Sequence, residues 1–480
     1  MRLTVCAFAI VLASPSALAA QEQAPAAAAV APQPGRVTER IACESDPTQS
    51  YALYLPASYD PDKKWPVLIV MDPRGRALVA MDLFREPAER LGWAVASSYD
   101  TMSDHGWELN ITAMKAMLPD VQRRVSLDTR RVYFAGFSGT ARVAWSFGYT
   151  VRGVAGLIGI GGALPFPMAE LKDGPFVFFG ATGMTDFNYE EMRALDKALD
   201  RTSIPHTTTS FPGGHEWCPP VVCAEAMDWM ELMAMKRGLR SQDPAWLDAR
   251  LDARMTGARE REAAGNGYDA WLLYEAIARD FEATAAADGA KEAAARASAL
   301  AATRQVKDAV KGAEKRARAQ ASYERTLGDF LAAFGKGTPP NLARSMSQLQ
   351  IRPLLKRAAD KDDPAGAAAA QRLLDLVFSH AAFYEPRDYL EAKDPERALA
   401  MLQVAEAIGP RTPQVCWYTA RAQAQLGHTE DALAALECVA SSGAAAATLI
   451  EKEEDLAPLR ANPAYKALIE RFKTQPPPGD

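Results

Sequence analysis

The fold is decided by one stretch of the chain, VYFAGFSGTA at residues 132–141. An apolar, strand-like run leads into a small-residue turn, and a helical pattern follows the turn. This order presents Ser138 on a sharp strand-to-helix turn, which is the pattern of a nucleophile elbow. Gly136 and Gly139 supply the small neighbours that such a turn needs. Glycine is usual at the fifth position of the motif, and this sequence has Thr140 there.

Strand and helix patterns alternate on both sides of this stretch, within residues 37–240. Several strand-like runs are continuously apolar, as expected for parallel strands buried on both faces. The alternation predicts a mostly parallel sheet with helices on both faces. Strands are predicted at Tyr51–Leu55, Val67–Met71, Ala94–Ser97, Val132–Phe137, Gly156–Ile160, Phe176–Phe179 and Thr207–Phe211. Helices are predicted at Ala77–Leu91, Ile111–Arg124, Thr140–Thr150, Glu190–Arg201 and Cys223–Arg237.

Two later loops supply the acid and the base that a serine nucleophile needs. In elbow-type hydrolases the chain order is Ser, then Asp or Glu, then His. Asp186 and His215 follow Ser138 in that order, each in a loop after a predicted strand. Because ligand sites lie at the carboxyl edge of such sheets, we predict a Ser138–His215–Asp186 triad. Glu190 is the alternative acid. His105 is the runner-up base, but it precedes the serine and so breaks the expected order.

An oxyanion hole normally uses two backbone amides. Gly139, directly after the nucleophile, is the first predicted donor. The second is expected in the loop after the strand that precedes the helix at Ala77. There we predict the amide of Arg74, since the residue before it is a proline without an amide hydrogen, and Gly75 is the next choice. Trp107 and Trp217 are candidate linings of a substrate pocket, although either is equally consistent with an ordinary half-buried tryptophan.

These motifs together resemble the esterase and polyhydroxybutyrate-depolymerase branch of the α/β-hydrolases, including feruloyl-esterase-like proteins. The resemblance covers about 200 of 480 residues and rests on the DPRG loop, the GFSG elbow, the Asp186 loop and the GGHEW stretch. It implies hydrolysis of a carboxylic ester substrate through an acyl-enzyme, without a cofactor. Only residues 161–174 separate two core strands where many relatives insert a lid, which predicts an open site for bulky or small esters alike.

Strand signals end at about Pro244, and apolar residues then recur at helical spacing. Residues 244–378 are predicted to be a helical region, and the stretch 253–330, which is dominated by alanine and charged residues, is interpreted as a spacer. In residues 379–473, Ala398 and Ala432 lie 34 residues apart in matching segments, which is the tetratricopeptide period, and Gly427 fits the turn between two helices. This all-α region therefore resembles nearly two tetratricopeptide repeats with capping helices, which usually bind a protein partner or simply pack on their neighbours.

The N-terminus has the pattern of an export signal. A positive Arg2 precedes a short apolar stretch and small residues around Ala19 and Ala20, where cleavage is expected. Residues 1–20 are therefore predicted to be a signal peptide, and the Ala- and Pro-rich residues 21–36 a solvated linker. The mature chain is expected to be periplasmic or secreted.

An oxidising compartment permits disulfides between the five cysteines that remain after cleavage. The candidate pairs are Cys218 with Cys223 and Cys416 with Cys438, with Cys43 left over, and the alternative of reduced cysteines stays open. The cysteines and histidines show no zinc-type spacing, so no metal is expected.

Composition narrows the function classes further. The net charge of −6 gives no basic footprint for nucleic acid, and after the signal region the sequence contains no stretch typical of a membrane span. Three functions stay open: an exported esterase, a peptidase or amidase with the same triad, and an inert hydrolase fold that serves a repeat-based binding module.

Overall fold

The computed structural model describes residues 32–103, 106–337, 339–441 and 447–474. The predicted signal peptide, most of the predicted linker and His105 lie outside these ranges. Contacts divide the chain into two compact units, Met1–Glu314 and Lys315–Asp480. In the described ranges, the structure has no helix that is both long enough and apolar enough to cross a membrane.

The first unit is built on an eight-stranded sheet with the order β1-β2-β4-β3-β5-β6-β7-β8. Strand β2 runs antiparallel to both of its neighbours, and the pairs from β4 to β8 are parallel. The predicted mostly parallel sheet is confirmed, and its strand order is that of the α/β-hydrolase fold. The strands are β1 (Val37–Ala42), β2 (Ser50–Tyr54), β3 (Trp65–Met71), β4 (Ala94–Ser98), β5 (Leu127–Phe137), β6 (Val154–Ile160), β7 (Val177–Gly183) and β8 (His206–Phe211).

Helices cover both faces of this sheet, because each predicted helix carries an apolar face that needs burial. One hydrophobic cluster holds α1 and α5 against one face, and a second cluster holds α2, α3 and α4 against the other. The connections therefore bring the carboxyl ends of the parallel strands to one edge, where the loops lie. These helices are α1 (Ala77–Leu91), α2 (Trp107–Arg124), α3 (Gly139–Thr150), α4 (Tyr189–Leu199) and α5 (Pro220–Lys236).

Three further helices belong to the first unit: α6 (Pro244–Ala263), α7 (Gly267–Phe281) and α8 (Ala287–Ala302). Their buried side chains, among them Leu247 and Tyr274, join the same cluster as α1 and α5. The compact unit thus continues beyond the predicted hydrolase boundary at residue 240. A spacer would leave these helices solvated, whereas the structure packs their apolar stripes into the core.

The second unit is helical in all of its described elements, as predicted from the loss of strand signals. The long helix α9 contains the boundary between the units. The helices are α9 (Arg304–Phe334), α10 (Leu342–Gln348), α11 (Ile351–Ala358), α12 (Pro364–Ser379), α13 (Glu385–Glu391), α14 (Pro395–Ile408), α15 (Pro413–Gln425), α16 (Thr429–Ser441), α17 (Ala447–Lys452) and α18 (Pro463–Thr474).

The two matching segments of the sequence lie on α14 and α16. Ala398 and Ala432 are both fully buried, which lets neighbouring helices approach closely. Gly427, in the turn between α15 and α16, has a positive φ of 77°. The tetratricopeptide interpretation itself stays a prediction.

The two cysteine pairs differ. Cys416 and Cys438 form a disulfide between α15 and α16, with a Cα–Cα distance of 6.0 Å. Cys218 and Cys223 are buried thiols in this structure, with 3.2 Å between their sulfur atoms, so the predicted local bridge is not formed. Cys43 is also a buried thiol.

Candidate active site

Ser138 occupies the turn between β5 and α3 with φ 55° and ψ −124°. A non-glycine residue in this region carries a strain of about 1–3 kcal/mol, which packing around the turn must offset. The turn is tight enough to need glycine at Gly136, where a Cβ would lie 2.4 Å from the carbonyl oxygen of Thr140. The sequence therefore builds a strained turn that holds the serine at the carboxyl edge of the sheet.

Thr140, the departure from the usual motif, ties this turn to the neighbouring strand. Its buried hydroxyl lies 2.6 Å from the carbonyl oxygen of Met71, the last residue of β3, and 2.8 Å from that of Phe137. The Phe137 amide also donates to the Thr140 hydroxyl oxygen at 3.1 Å. A glycine at this position would make none of these contacts. Glycine would fit the turn through its small size, whereas threonine stabilises the turn through hydrogen bonds.

The structure brings the three predicted triad side chains into one hydrogen-bonded chain. The Nε2 atom of His215 lies 2.8 Å from the Oγ atom of Ser138. Its Nδ1 atom lies 3.0 Å from each carboxylate oxygen of Asp186. Asp186 is fully buried, whereas 22% of the His215 side chain is exposed. A carboxylate facing Nδ1 favours the tautomer with its proton there, which leaves Nε2 free to accept the serine proton.

Several neighbours hold Asp186 and His215 in this arrangement. Asn188 donates its backbone amide to the Asp186 carboxylate at 2.8 Å, and its side-chain amide donates to the Gly161 carbonyl at 2.8 Å. The rings of Phe137 and Phe187 flank the imidazole, with centroid distances of 4.8 Å and 4.3 Å. These two rings pack against the imidazole and limit its rotation.

Gly161, directly after β6, gives the acid and the base their space. Its φ is 57°, and a Cβ there would lie 2.9 Å from the Asp186 Oδ2 atom and 3.4 Å from the His215 Nδ1 atom. Any larger residue would push on the pair. The segment from residue 161 to 176 is fully described, and the 3-10 turn Met168–Glu170 is its sole helical element. No inserted lid domain interrupts the sheet at this point of the described chain.

The two predicted oxyanion donors have different surroundings in the structure. Gly139 is the first residue of α3, and the first amides of a helix have no acceptor within the helix. The amide of Arg74, in contrast, donates to the Asp72 carboxylate at 2.8 Å, and the amide of Gly75 donates to the Asp72 carbonyl at 3.2 Å. The prediction that the Arg74 amide is an oxyanion donor is therefore corrected, because this amide is already hydrogen-bonded to Asp72. The sequence alone does not show that the Asp72 side chain folds back onto its own loop.

The remaining predicted site residues have defined surroundings. The Trp217 indole donates to Asp72 at 2.8 Å, so it fastens a loop rather than only lining a pocket. Trp107 is the first residue of α2 and packs, partly buried, against the cluster on that face of the sheet. Glu190, the alternative acid, pairs with Arg193 at 3.4 Å. Asp186, not Glu190, makes the contact with His215.

No known protein-family model and no curated protein sequence matches this chain. Among solved structures, the chain is similar to a ferulic acid esterase, with 15% identity over 41% of this chain and 98% of that chain and a TM-score of 0.34. It is also similar to an S-formylglutathione hydrolase from Staphylococcus aureus, with 17% identity, 42% and 99% coverage and a TM-score of 0.33. For the feruloyl esterase module from Clostridium thermocellum the values are 17% identity, 45% and 94% coverage and a TM-score of 0.32. Identities and TM-scores this low carry no information on the substrate of this chain.

Proposed function

We propose that the protein is a serine hydrolase that cleaves carboxylic esters through an acyl-enzyme intermediate. The observation that carries this proposal is the continuous chain from Ser138 Oγ through His215 to Asp186, with separations of 2.8 Å and 3.0 Å. The strained φ of Ser138 supports it further, because strain of this kind is concentrated at functional sites.

The geometry suits a two-step transfer of the acyl group. The Ser138 oxygen attacks the acyl carbon while its proton passes to His215 Nε2, and the Gly139 amide binds the negative charge on the carbonyl oxygen. The carbon–oxygen bond to the alcohol then breaks, and the alcohol leaves with the proton from His215. Water repeats the sequence on the acyl-enzyme, which releases the acid and restores Ser138. Asp186 orients the imidazole and stabilises its charged form in both steps.

The proposal favours esters over amides on the chemistry of the leaving group. An alkoxide or phenoxide departs with one proton from His215, whereas an amine needs stronger help from the enzyme. The test is a matched pair of substrates that share one acyl group, a nitrophenyl ester and the corresponding nitroanilide. Faster turnover of the ester supports the proposal, and a preference for the anilide would move the protein to the peptidase class.

The assignment of the nucleophile is tested by two serine substitutions, one at the elbow and one on the helix that follows it. Ser138→Ala is expected to lower ester turnover by about 10⁴-fold or more. Ser146→Ala, on helix α3, removes another partly buried hydroxyl and is expected to retain the turnover. Equal turnover of the wild type and Ser138→Ala would exclude Ser138 as the nucleophile.

For the rest of the chain we propose export and a partner-binding role. The disulfide between Cys416 and Cys438 supports export, because disulfides persist mainly in oxidising compartments. The 34-residue spacing of Ala398 and Ala432, both buried, supports a tetratricopeptide-like pair that binds a protein partner. A chain that ends at Thr303, before α9, tests this division. Retained solubility and ester turnover support a separate module, whereas insolubility would show that the helices beyond α8 are needed for folding.

A further inference from the structure

Asp72 is a buried carboxylate that the proposed mechanism does not use. It follows directly after β3, whose last residue, Met71, pairs in register with Gly136 of the elbow strand. Its side chain is fully buried. An ionised carboxylate in such a place is stable only with several hydrogen-bond donors around it.

One set of donors comes from the loop that Asp72 itself begins. The Oδ1 atom accepts from the Arg74 amide at 2.8 Å, from the Arg76 amide at 3.2 Å and from the Arg76 Nε atom at 3.1 Å. The Oδ2 atom accepts from the Arg76 guanidinium at 2.9 Å. The carboxylate thus fixes the loop between β3 and α1, at the edge of the sheet where the elbow lies.

The other donor comes from the loop that carries the proposed base. The Trp217 indole nitrogen donates to the Asp72 Oδ2 atom at 2.8 Å, and Trp217 lies two residues after His215. The indole packs on Phe137 with a centroid distance of 5.6 Å, and Phe137 in turn contacts His215 at 4.8 Å. Asp72 therefore joins the two loops through Trp217, whose ring packs on Phe137, and Phe137 contacts the imidazole.

The charge state of Asp72 agrees with this arrangement. Burial alone would raise the pKa of Asp72, but the hydrogen bonds from Arg76, Trp217 and the Arg74 amide hold the pKa below its usual value. The carboxylate is therefore ionised at neutral pH, and its bond to the indole is charge-assisted.

We propose that Asp72 is a positioning residue of the active site, which fixes the His215 loop through Trp217 while it orders the loop between β3 and α1. This inference rests on the proposed function, in which His215 is the base. The alternative is that the Asp72 carboxylate only stabilises the fold. The two roles differ in what happens when the link to Trp217 alone is removed.

The decisive variant is Trp217→Phe, which keeps an aromatic ring on Phe137 and removes the indole donor. We expect kcat for a nitrophenyl ester to fall about tenfold, with KM within about twofold of the wild type, because loss of alignment slows the chemical step more than binding. The matched control is Trp271→Phe, on helix α7. The indole of Trp271, a partly buried side chain, also donates to a carboxylate, that of Glu275 at 3.2 Å, but this hydrogen bond is exposed to solvent. The control is expected to retain kcat.

A second measurement does not depend on turnover. We expect the proton between His215 Nδ1 and Asp186 to give a low-field proton resonance in the wild type, and we expect this resonance to broaden or shift in Trp217→Phe and to persist in Trp271→Phe. An unchanged resonance together with unchanged kcat in Trp217→Phe would overturn the positioning role. If the wild type hydrolyses no ester, the proposed function fails, and the resonance alone then decides whether Asp72 and Trp217 position the imidazole.

Discussion

Thr140 offers a sharp test of how the elbow is held. The substitution Thr140→Val keeps the shape of the side chain and removes a buried hydroxyl that contacts two carbonyls and one amide. The hydroxyl hydrogen serves one carbonyl at a time, so two hydrogen bonds are lost at once. The lost bond from the hydroxyl to a carbonyl accounts for about 1 kcal/mol net, and the Phe137 amide left without its acceptor costs about 1–3 kcal/mol. We therefore expect the free energy of unfolding to fall by about 2–4 kcal/mol.

The assay is urea denaturation followed by circular dichroism, with the rate of fluorophosphonate labelling as a second readout. The control is Thr182→Val, since Thr182 is buried in β7 and its hydroxyl has no hydrogen-bond partner within the described part of the chain. That variant is expected to be neutral or slightly stabilising. We expect labelling of Thr140→Val to slow roughly tenfold, because the elbow shifts the nucleophile. Equal stability of the two variants would refute the role assigned to the Thr140 hydroxyl.

Three further predictions concern other parts of the structure. Gly161→Ala should lower ester turnover more than the control Gly238→Ala. Both positions have positive φ, but a Cβ at Gly161 would lie 2.9 Å from Asp186, whereas a Cβ at Gly238 would meet nothing within 4 Å. Equal losses in kcat would mean that backbone strain alone matters. Cys416→Ser should lower the free energy of unfolding by about 2–4 kcal/mol, with no further loss on adding a reductant; a full reductant effect in the variant would place the sensitive bond elsewhere. Burial alone would raise the pKa of Asp455, but hydrogen bonds from a lysine, an arginine and a glutamine hold its pKa below its usual value. The stability that the ionised Asp455 contributes is therefore present above about pH 4 and is lost as the pH falls through the pKa of the folded state. Acid unfolding followed by circular dichroism should therefore be steeper in the wild type than in Asp455→Asn, and identical acid limbs would contradict this.

The sheet could be predicted because most of its strands are buried on both faces, and several of these appear as continuous apolar runs. Helix α1 was predicted with the bounds that the structure has, Ala77–Leu91. Strand β1 was not predicted, because Val37–Ala42 is an edge strand with mixed exposure and a short, partly charged sequence. The packing of α6 to α8 on the core also escaped prediction, since a helical pattern shows which face is apolar but not what that face covers.

The proposed triad could be located from the sequence because its members follow strand ends in a fixed order along the chain. The residues that hold the triad in place could not be located from the sequence. Each of these supports includes a bond between residues that are distant in the sequence, which no local pattern reveals. The bonds are Thr140 to Met71, the Asn188 side-chain amide to Gly161, and Trp217 to Asp72. The error at Arg74 has a similar cause. Its amide is hydrogen-bonded to the carboxylate two residues earlier, and only the loop conformation reveals this bond.

The most direct test of the central proposal is the site of covalent modification by a fluorophosphonate. Intact-mass and peptide analysis of the treated full chain should show one adduct, on the peptide that contains Ser138. The adduct should be absent from Ser138→Ala and form much more slowly in His215→Ala. An unmodified Ser138 in folded, treated wild-type protein, or an adduct on another serine that persists in Ser138→Ala, would contradict the proposed mechanism.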